Sequence, residues 1–291
     1  MFKERKDAIK YSGMGKIIGL TLLMFLLGNI VIEGVTSILG DLVFGASESQ
    51  ISIGSTFAMI LNVVIMTVIM MLVSKIKLKD LGLDSKAVIK NILIGAISGI
   101  LVLTVVGLSI KMMGAVTIVS VYKSSYLKMI IVSLIFFIFQ GTFEELVFRS
   151  FIMTQLSKKF GDFLGIILSA LLFISVHLLN PGISYMAILN LLIASIVFSM
   201  VYYVWGNLWL SGLAHGLWNY TQSVIFGSSV SGLTLTEKVL LSTPVNGKDL
   251  ISGGVYGFEG GIVTSIMGII LIVVLIIVAM KKNNCSCKVV K

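Results

Sequence analysis

Charge is what this chain of 291 residues has least of, and the shortage excludes a soluble fold. Only 12% of its residues are Asp, Glu, Lys or Arg and 57% are hydrophobic, against about 25% and about 45–50% in a soluble globular chain. No polar block is long enough for a separate soluble domain, so residues 1–291 read as a single integral membrane domain. Proline is nearly absent: Pro181 and Pro244 are the two, both in expected loops, which leaves the apolar stretches free to run as continuous helices. Cysteine is as scarce. Cys285 and Cys287 sit together in the C-terminal tail, which excludes a disulfide framework, and a lone Cys-Ser-Cys is given no special role. No small-residue cleavage site follows the charged segment 1–16, and the apolar run after it, about 23 residues, is too long for a signal-peptide core of about 7–15. An uncleaved first span is expected there. No internal repeat is present.

What the chain has in abundance is apolar runs near the ~20 residues needed to cross ~30 Å of hydrocarbon. They lie at approximately 17–39, 54–74, 91–113, 127–157, 162–179, 183–204, 207–226 and 260–280. The expected fold is an all-α, polytopic transmembrane bundle of about eight spans. Its formal charge of +9 does not suggest nucleic acid, because the cations lie in short loops and tails between spans. Lys3, Arg5, Lys6, Lys10 and Lys16 precede the first span, and Lys75, Lys77, Lys79, Lys86 and Lys90 follow the second. Lys158 and Lys159 follow the fourth, and Lys281, Lys282, Lys288 and Lys291 the last. With eight spans these fall on one side, which the positive-inside rule makes cytoplasmic, so both termini are expected inside. Asp41 and Glu48 mark the other side, with Lys111 and Lys123 as exceptions.

Three polar islands interrupt the spans: Glu144, Glu145 and Arg149; His177; and His215 with Asn219. A charge at the bilayer centre costs roughly 2.5–3.5 kcal/mol on insertion scales, so such groups face the bundle interior and have work to do there. The fourth span is long, roughly 46 Å of helix, and is expected to tilt, break near Gly141 or project beyond the lipid. Counted from the turn at Lys158–Asp162, Glu144 and His177 lie roughly 21 and 22 Å up adjacent antiparallel helices. Four-residue spacing puts Glu145 with Arg149, Phe173 with His177, and His215 with Asn219 on common faces. Glu145 and Arg149 are expected to pair, leaving Glu144 to face the histidines, with Phe173 as packing.

The islands spell Glu-Glu-x-x-x-Arg, Phe-x-x-x-His and His-x-x-x-Asn, in that order, on three apolar spans. In this the chain resembles the CPBP family, the CAAX prenyl protease and bacteriocin-processing (Abi) group, with 126–226 as the protease core. Leu81-Gly82-Leu83 and the glycine-rich Gly253–Gly261 look similar as well. The resemblance implies a membrane endopeptidase, described either as a metalloprotease or as a metal-independent glutamate protease. The chemistry assigns Glu144 and His177 to activating water, and His215 and Asn219 to the oxyanion. Glu145, Arg149 and Phe173 support them. No cofactor is favoured, although Glu144, His177 and His215 could supply three ligands to zinc or another divalent metal. The expected partners are the bilayer and a peptide or membrane-protein substrate, in a bacterial plasma membrane. Two other classes compete: a non-catalytic immunity or scaffold protein, and a transporter using the same buried groups as a relay.

Overall fold

The computed structural model describes residues 2–9, 51–84, 87–235 and 237–289, with isolated positions between 13 and 42 and side chains as far as Lys282. Apart from those isolated positions, the expected first span at 17–39 lies outside the described residues. So do Lys10, Lys16, Asp41, Glu48, Lys86 and Lys291 and the side chains of Cys285, Cys287 and Lys288.

Helix dominates, and five described helices are long and apolar enough to cross a membrane: Ile53–Ser74, Val88–Met112, Ser124–Phe160, Tyr185–Trp205 and Ile262–Lys282. In chain order the elements are α1 (Phe2–Ala8), α2 (Ile53–Ser74), α3 (Val88–Met112), β1 (Val116–Ser120) and α4 (Leu127–Glu145). There follow α5 (Thr154–Phe160), α6 (Asp162–Ser175), α7 (Tyr185–Trp205), α8 (Leu208–Tyr220), β2 (Leu240–Pro244) and α9 (Ile262–Val289). Local chemistry sets the boundaries. Ser52 and Ser55 form a reciprocal capping box at the start of α2, with N–H to Oγ distances of 3.0 and 2.8 Å. Gly206 closes α7 at φ +56°, and the next residue, Asn207, accepts from the Leu210 N–H at 3.1 Å to open α8. That two-residue connection makes α7 and α8 an antiparallel hairpin.

Helix α8 is the centre of the bundle, clasped between α3 and α4. Small residues allow it. A Cβ on Gly99 of α3 would lie 2.3 Å from the Ala214 carbonyl oxygen, and one on Gly141 of α4 would lie 2.3 Å from the Gly216 nitrogen. Backbones this close gain dispersion contact along the crossing, which drives helix association where lipid removes the hydrophobic term.

The long fourth span does not break at Gly141, which serves that crossing. It widens further along, as a π-helix at Leu146–Met153 between α4 and α5. The Thr154 hydroxyl donates to the Arg149 carbonyl five residues back, at 3.1 Å, and the Ser169 hydroxyl to the Phe148 carbonyl at 2.8 Å. A second π-segment, Thr221–Ile225, follows α8 directly. Such wide turns are frequent at functional sites.

Two expectations need correction. The chain is not purely α-helical: Val116-Thr-Ile-Val-Ser, rich in β-branched residues, pairs antiparallel with β2, from Val116↔Pro244 to Ser120↔Leu240. And the helix expected over 162–179 stops at Ser175, so His177 lies in the turn beyond it.

Basic segments converge on one end of the bundle. Arg5 pairs with Asp84 at 2.7 Å and Lys6 with Asp162 at 2.6 Å. Lys158 donates to the carbonyls of Lys6, Asp7 and Ile9, and Lys282 to that of Val204. The β-ribbon, the turn after α6 and the segment 227–261 belong to the opposite end.

Candidate active site

Glu144 and Glu145 are the last residues of α4, immediately before its π-segment, and point in different directions. Glu145 is fully buried, with Oε1 lying 2.8 Å from Arg149 Nη1. The same oxygen accepts from His215 Nδ1 of α8 at 2.9 Å. It thus joins two helices as well as neutralising one cation, and the pair lies in the protein core. Arg149 is also fully buried. Its Nη2 donates to Ser195 Oγ at 3.1 Å, and the guanidinium carbon sits 4.6 Å from the Phe173 ring centroid, with Phe148 and Phe198 at 5.9 and 5.8 Å. An aromatic cage of this kind suits the weakly hydrated guanidinium.

With Nδ1 committed to Glu145, the other nitrogen of His215 faces Glu144, with Nε2 to Oε2 at 3.7 Å. Phe198 stacks on the imidazole at 4.5 Å and fixes its plane. His177, in the turn after α6, places Nδ1 2.8 Å from the Phe173 carbonyl. A carbonyl only accepts, so Nδ1 carries the hydrogen and a neutral His177 presents the Nε2 lone pair. Phe173 packs against both imidazoles, at centroid distances of 4.5 and 6.4 Å. Asn219 donates to Gln140 Oε1 at 2.9 Å, and Gln140 Nε2 in turn donates to Glu144 Oε1. One N–H of the Asn219 amide is therefore used by Gln140, and its second remains for another acceptor.

Glu144, His177, His215 and Asn219 line one cavity of about 540 Å³ together with Gln140, Phe173, Phe198 and Glu259. A smaller apolar pocket of about 220 Å³ adjoins it, sharing Asn190, Ala194, Phe198, Trp218 and Thr264. Among the described residues no three of His, Cys, Asp and Glu are gathered closely enough to hold a metal ion. The third ligand needed beside Glu144 and His215 would be His177, which stands on a separate turn.

Residues 126–221 match the family model Rce1-like, type II CAAX prenyl endopeptidase. The match covers about a third of the chain, from just before α4 to the end of α8, and bears out the resemblance read from the three motifs. No curated protein and no solved structure matches the chain. The matched segment contains every residue of the three motifs; Glu144, Phe173, His177, His215 and Asn219 line the cavity, and Glu145 and Arg149 are buried behind it. Rce1-like proteins are proteases, which supports peptidase activity in a multi-pass membrane protein. Gln140 and Glu259 are among the cavity residues not singled out one by one from the sequence. Gln140 stands one helical turn before Glu144, a polar residue in an apolar run, and that spacing could have found it. Glu259 lies beyond the matched segment in a glycine-rich stretch, and only the fold connects it to the site.

Proposed function

We propose that this protein is an intramembrane endopeptidase of the glutamate type, acting on a membrane-associated peptide or protein in a bacterial plasma membrane. The observation that carries the reading is the convergence of one carboxylate and two imidazole nitrogens on a single cavity, each imidazole oriented from behind by an acceptor. Water bound between Glu144 and the Nε2 lone pair of His177 gives its proton to Glu144 as its oxygen bonds to the scissile carbonyl carbon. The oxyanion receives hydrogen bonds from a protonated His215 at Nε2 and from the second N–H of Asn219. Such donors are worth about 10²–10³ in rate each. Collapse breaks the C–N bond, and Glu144 returns the proton to the departing amine. The adjoining apolar pocket suits a large apolar group of the substrate.

This scheme routes no step through a metal. The purified full-length protein in lipid nanodiscs should keep its peptide-cleaving rate after exhaustive chelation. Loss of cleavage, restored by zinc alone, would overturn the scheme and make Glu144, His177 and His215 ligands.

Access follows from topology. Among the described residues, none lining the cavity belongs to the basic end of the bundle, whereas Asn180, Val230, Ser231, Leu233 and Glu259 come from turns of the opposite end. With the basic end and both termini cytoplasmic, substrate enters from outside the cell. In a background with Cys285 and Cys287 changed to Ser, a membrane-impermeant maleimide should label Ser231→Cys on intact cells and Lys159→Cys only after permeabilisation. The reverse pattern would invert the orientation.

A further inference from the structure

Glu259 is a carboxylate in the cavity that the hydrolytic scheme does not use. It stands in the one-turn helix Phe258–Gly260 before α9, and its backbone carbonyl accepts from Asn190 Nδ2 of α7 at 2.6 Å. Asn190 is fixed in turn by Ser265 of α9, whose hydroxyl donates to Asn190 Oδ1 at 2.5 Å. The side chain reaches across to the turn at the mouth, where Oε2 accepts from the Ser231 N–H at 3.0 Å and faces its hydroxyl at 3.3 Å. Ser231 holds φ +50°, and the next residue, Gly232, donates to the Tyr256 carbonyl at 3.1 Å. Glu259 is thus held in place on both its backbone and its side chain.

The charge balance of the cavity is one-sided. Among the described residues its lining includes Glu144 and Glu259 but no Lys or Arg. Arg149, behind the wall, is taken by Glu145 and Ser195. Burial pushes the Glu259 carboxyl up from its ordinary value, against the opposing Ser231 N–H and the two imidazoles. A loop anchor alone would need only an acceptor, which an amide or a hydroxyl supplies at no electrostatic cost. An ionised carboxylate in a partly dehydrated cavity is favourable when a cation arrives beside it.

We propose that Glu259 is a specificity-determining residue, the carboxylate of a subsite that takes a Lys or Arg side chain of the substrate close to the scissile bond. This rests on the peptidase reading, since it names the class of peptide that the same cavity accepts.

Glutamine separates the two roles of Glu259, because its carbonyl oxygen can still accept from Ser231. The probes are fluorescein-labelled nonapeptides of Ala and Leu carrying one Arg at successive positions, each matched by a peptide with uncharged, near-isosteric citrulline. Binding is measured on the full-length Glu144→Gln protein in nanodiscs, and cleavage on the parent. At one Arg position the arginine peptide should bind about tenfold tighter than its citrulline partner, the scale of a charge-assisted contact. Glu259→Gln should bring that ratio close to unity, with the lost kcat/KM appearing in KM. Glu259→Lys should reverse it toward a Glu-containing peptide. Cleavage that ignores the Arg/citrulline exchange overturns the subsite and leaves the peptidase reading standing. A binding preference abolished by Glu259→Gln, with no peptide cleaved by the parent, upholds the subsite and removes the peptidase. An Arg preference unchanged in Glu259→Gln overturns the assignment to this residue.

Discussion

Replacing Glu144 with Gln should lower peptide hydrolysis by about 10²–10⁴-fold or more, the usual worth of a positioned general base. The substitution keeps shape and volume, and the new amide can still accept from Gln140 through its oxygen, so the Asn219–Gln140–144 chain of hydrogen bonds survives. What disappears is the only group in the scheme that both takes a proton from water and returns one to the amine. Substrate binding should change little, so the loss belongs in kcat and not in KM. The measurement is turnover of a labelled peptide by the purified full chain in nanodiscs, alongside its thermal unfolding. Cleavage within about twofold of the parent, from a variant that unfolds at the parent temperature, would remove Glu144 from the mechanism. The same loss with a lowered unfolding temperature would point to a damaged α4–α8 contact, and the rate would then say nothing about proton transfer.

The spans were legible in the sequence because lipid leaves a helix no alternative: with backbone groups unable to bond to water, an apolar run of about twenty residues must satisfy them internally. Observed helices at Ile53–Ser74, Val88–Met112 and Tyr185–Trp205 accordingly start and stop within a few residues of the expected runs. Pairing of Glu145 with Arg149 was legible for a similar reason, since four-residue spacing fixes which side chains meet. Distances along one helix can be counted; contacts between helices cannot. That His215 binds Glu145 through Nδ1 and turns Nε2 toward Glu144 depends on how closely α8 approaches α4. The approach in turn depends on Gly141 and Gly216; the four-residue spacing of Gly212 and Gly216 marks a close crossing but does not say which helix is met there. The premature end of α6 at Ser175 was hidden because hydrophobicity continues through Leu178-Leu179. Val116–Ser120 was passed over for its length, too short to span and too far in sequence from its partner strand. Glu259 was missed because its importance comes from three-dimensional position, 115 residues after Glu144 in the chain and on the wall of the same cavity.

Arg149→Met should cause the largest loss of stability of any single change considered. The guanidinium and the Glu145 carboxylate are both fully buried, so removing the cation leaves an anion with no access to water and only His215 beside it. Breaking such a pair from one side typically costs about 3–5 kcal/mol, because the remaining charge stays uncompensated. Met fills much of the Phe148, Phe173 and Phe198 cage, so lost packing contributes little and the electrostatic loss can be read separately. The companion variant is Arg149→Met with Glu145→Gln, which removes both charges and leaves an amide oxygen able to accept from His215 Nδ1. Thermal unfolding of the purified proteins should show the single variant far below the parent and the double variant recovering most of the difference, the coupling expected of a buried charge pair. Turnover should not recover with stability. In the proposed scheme Nε2 of His215 donates to the oxyanion while Nδ1 donates to Glu145, and a neutral amide oxygen is a weaker acceptor behind the imidazole than a carboxylate. If the single variant unfolds at the parent temperature, the pair is not what fixes α4 to α8. If the double variant regains full turnover along with its stability, Glu145 contributes an acceptor alone, and the oxyanion must be held by Asn219 without a charged imidazole beside it.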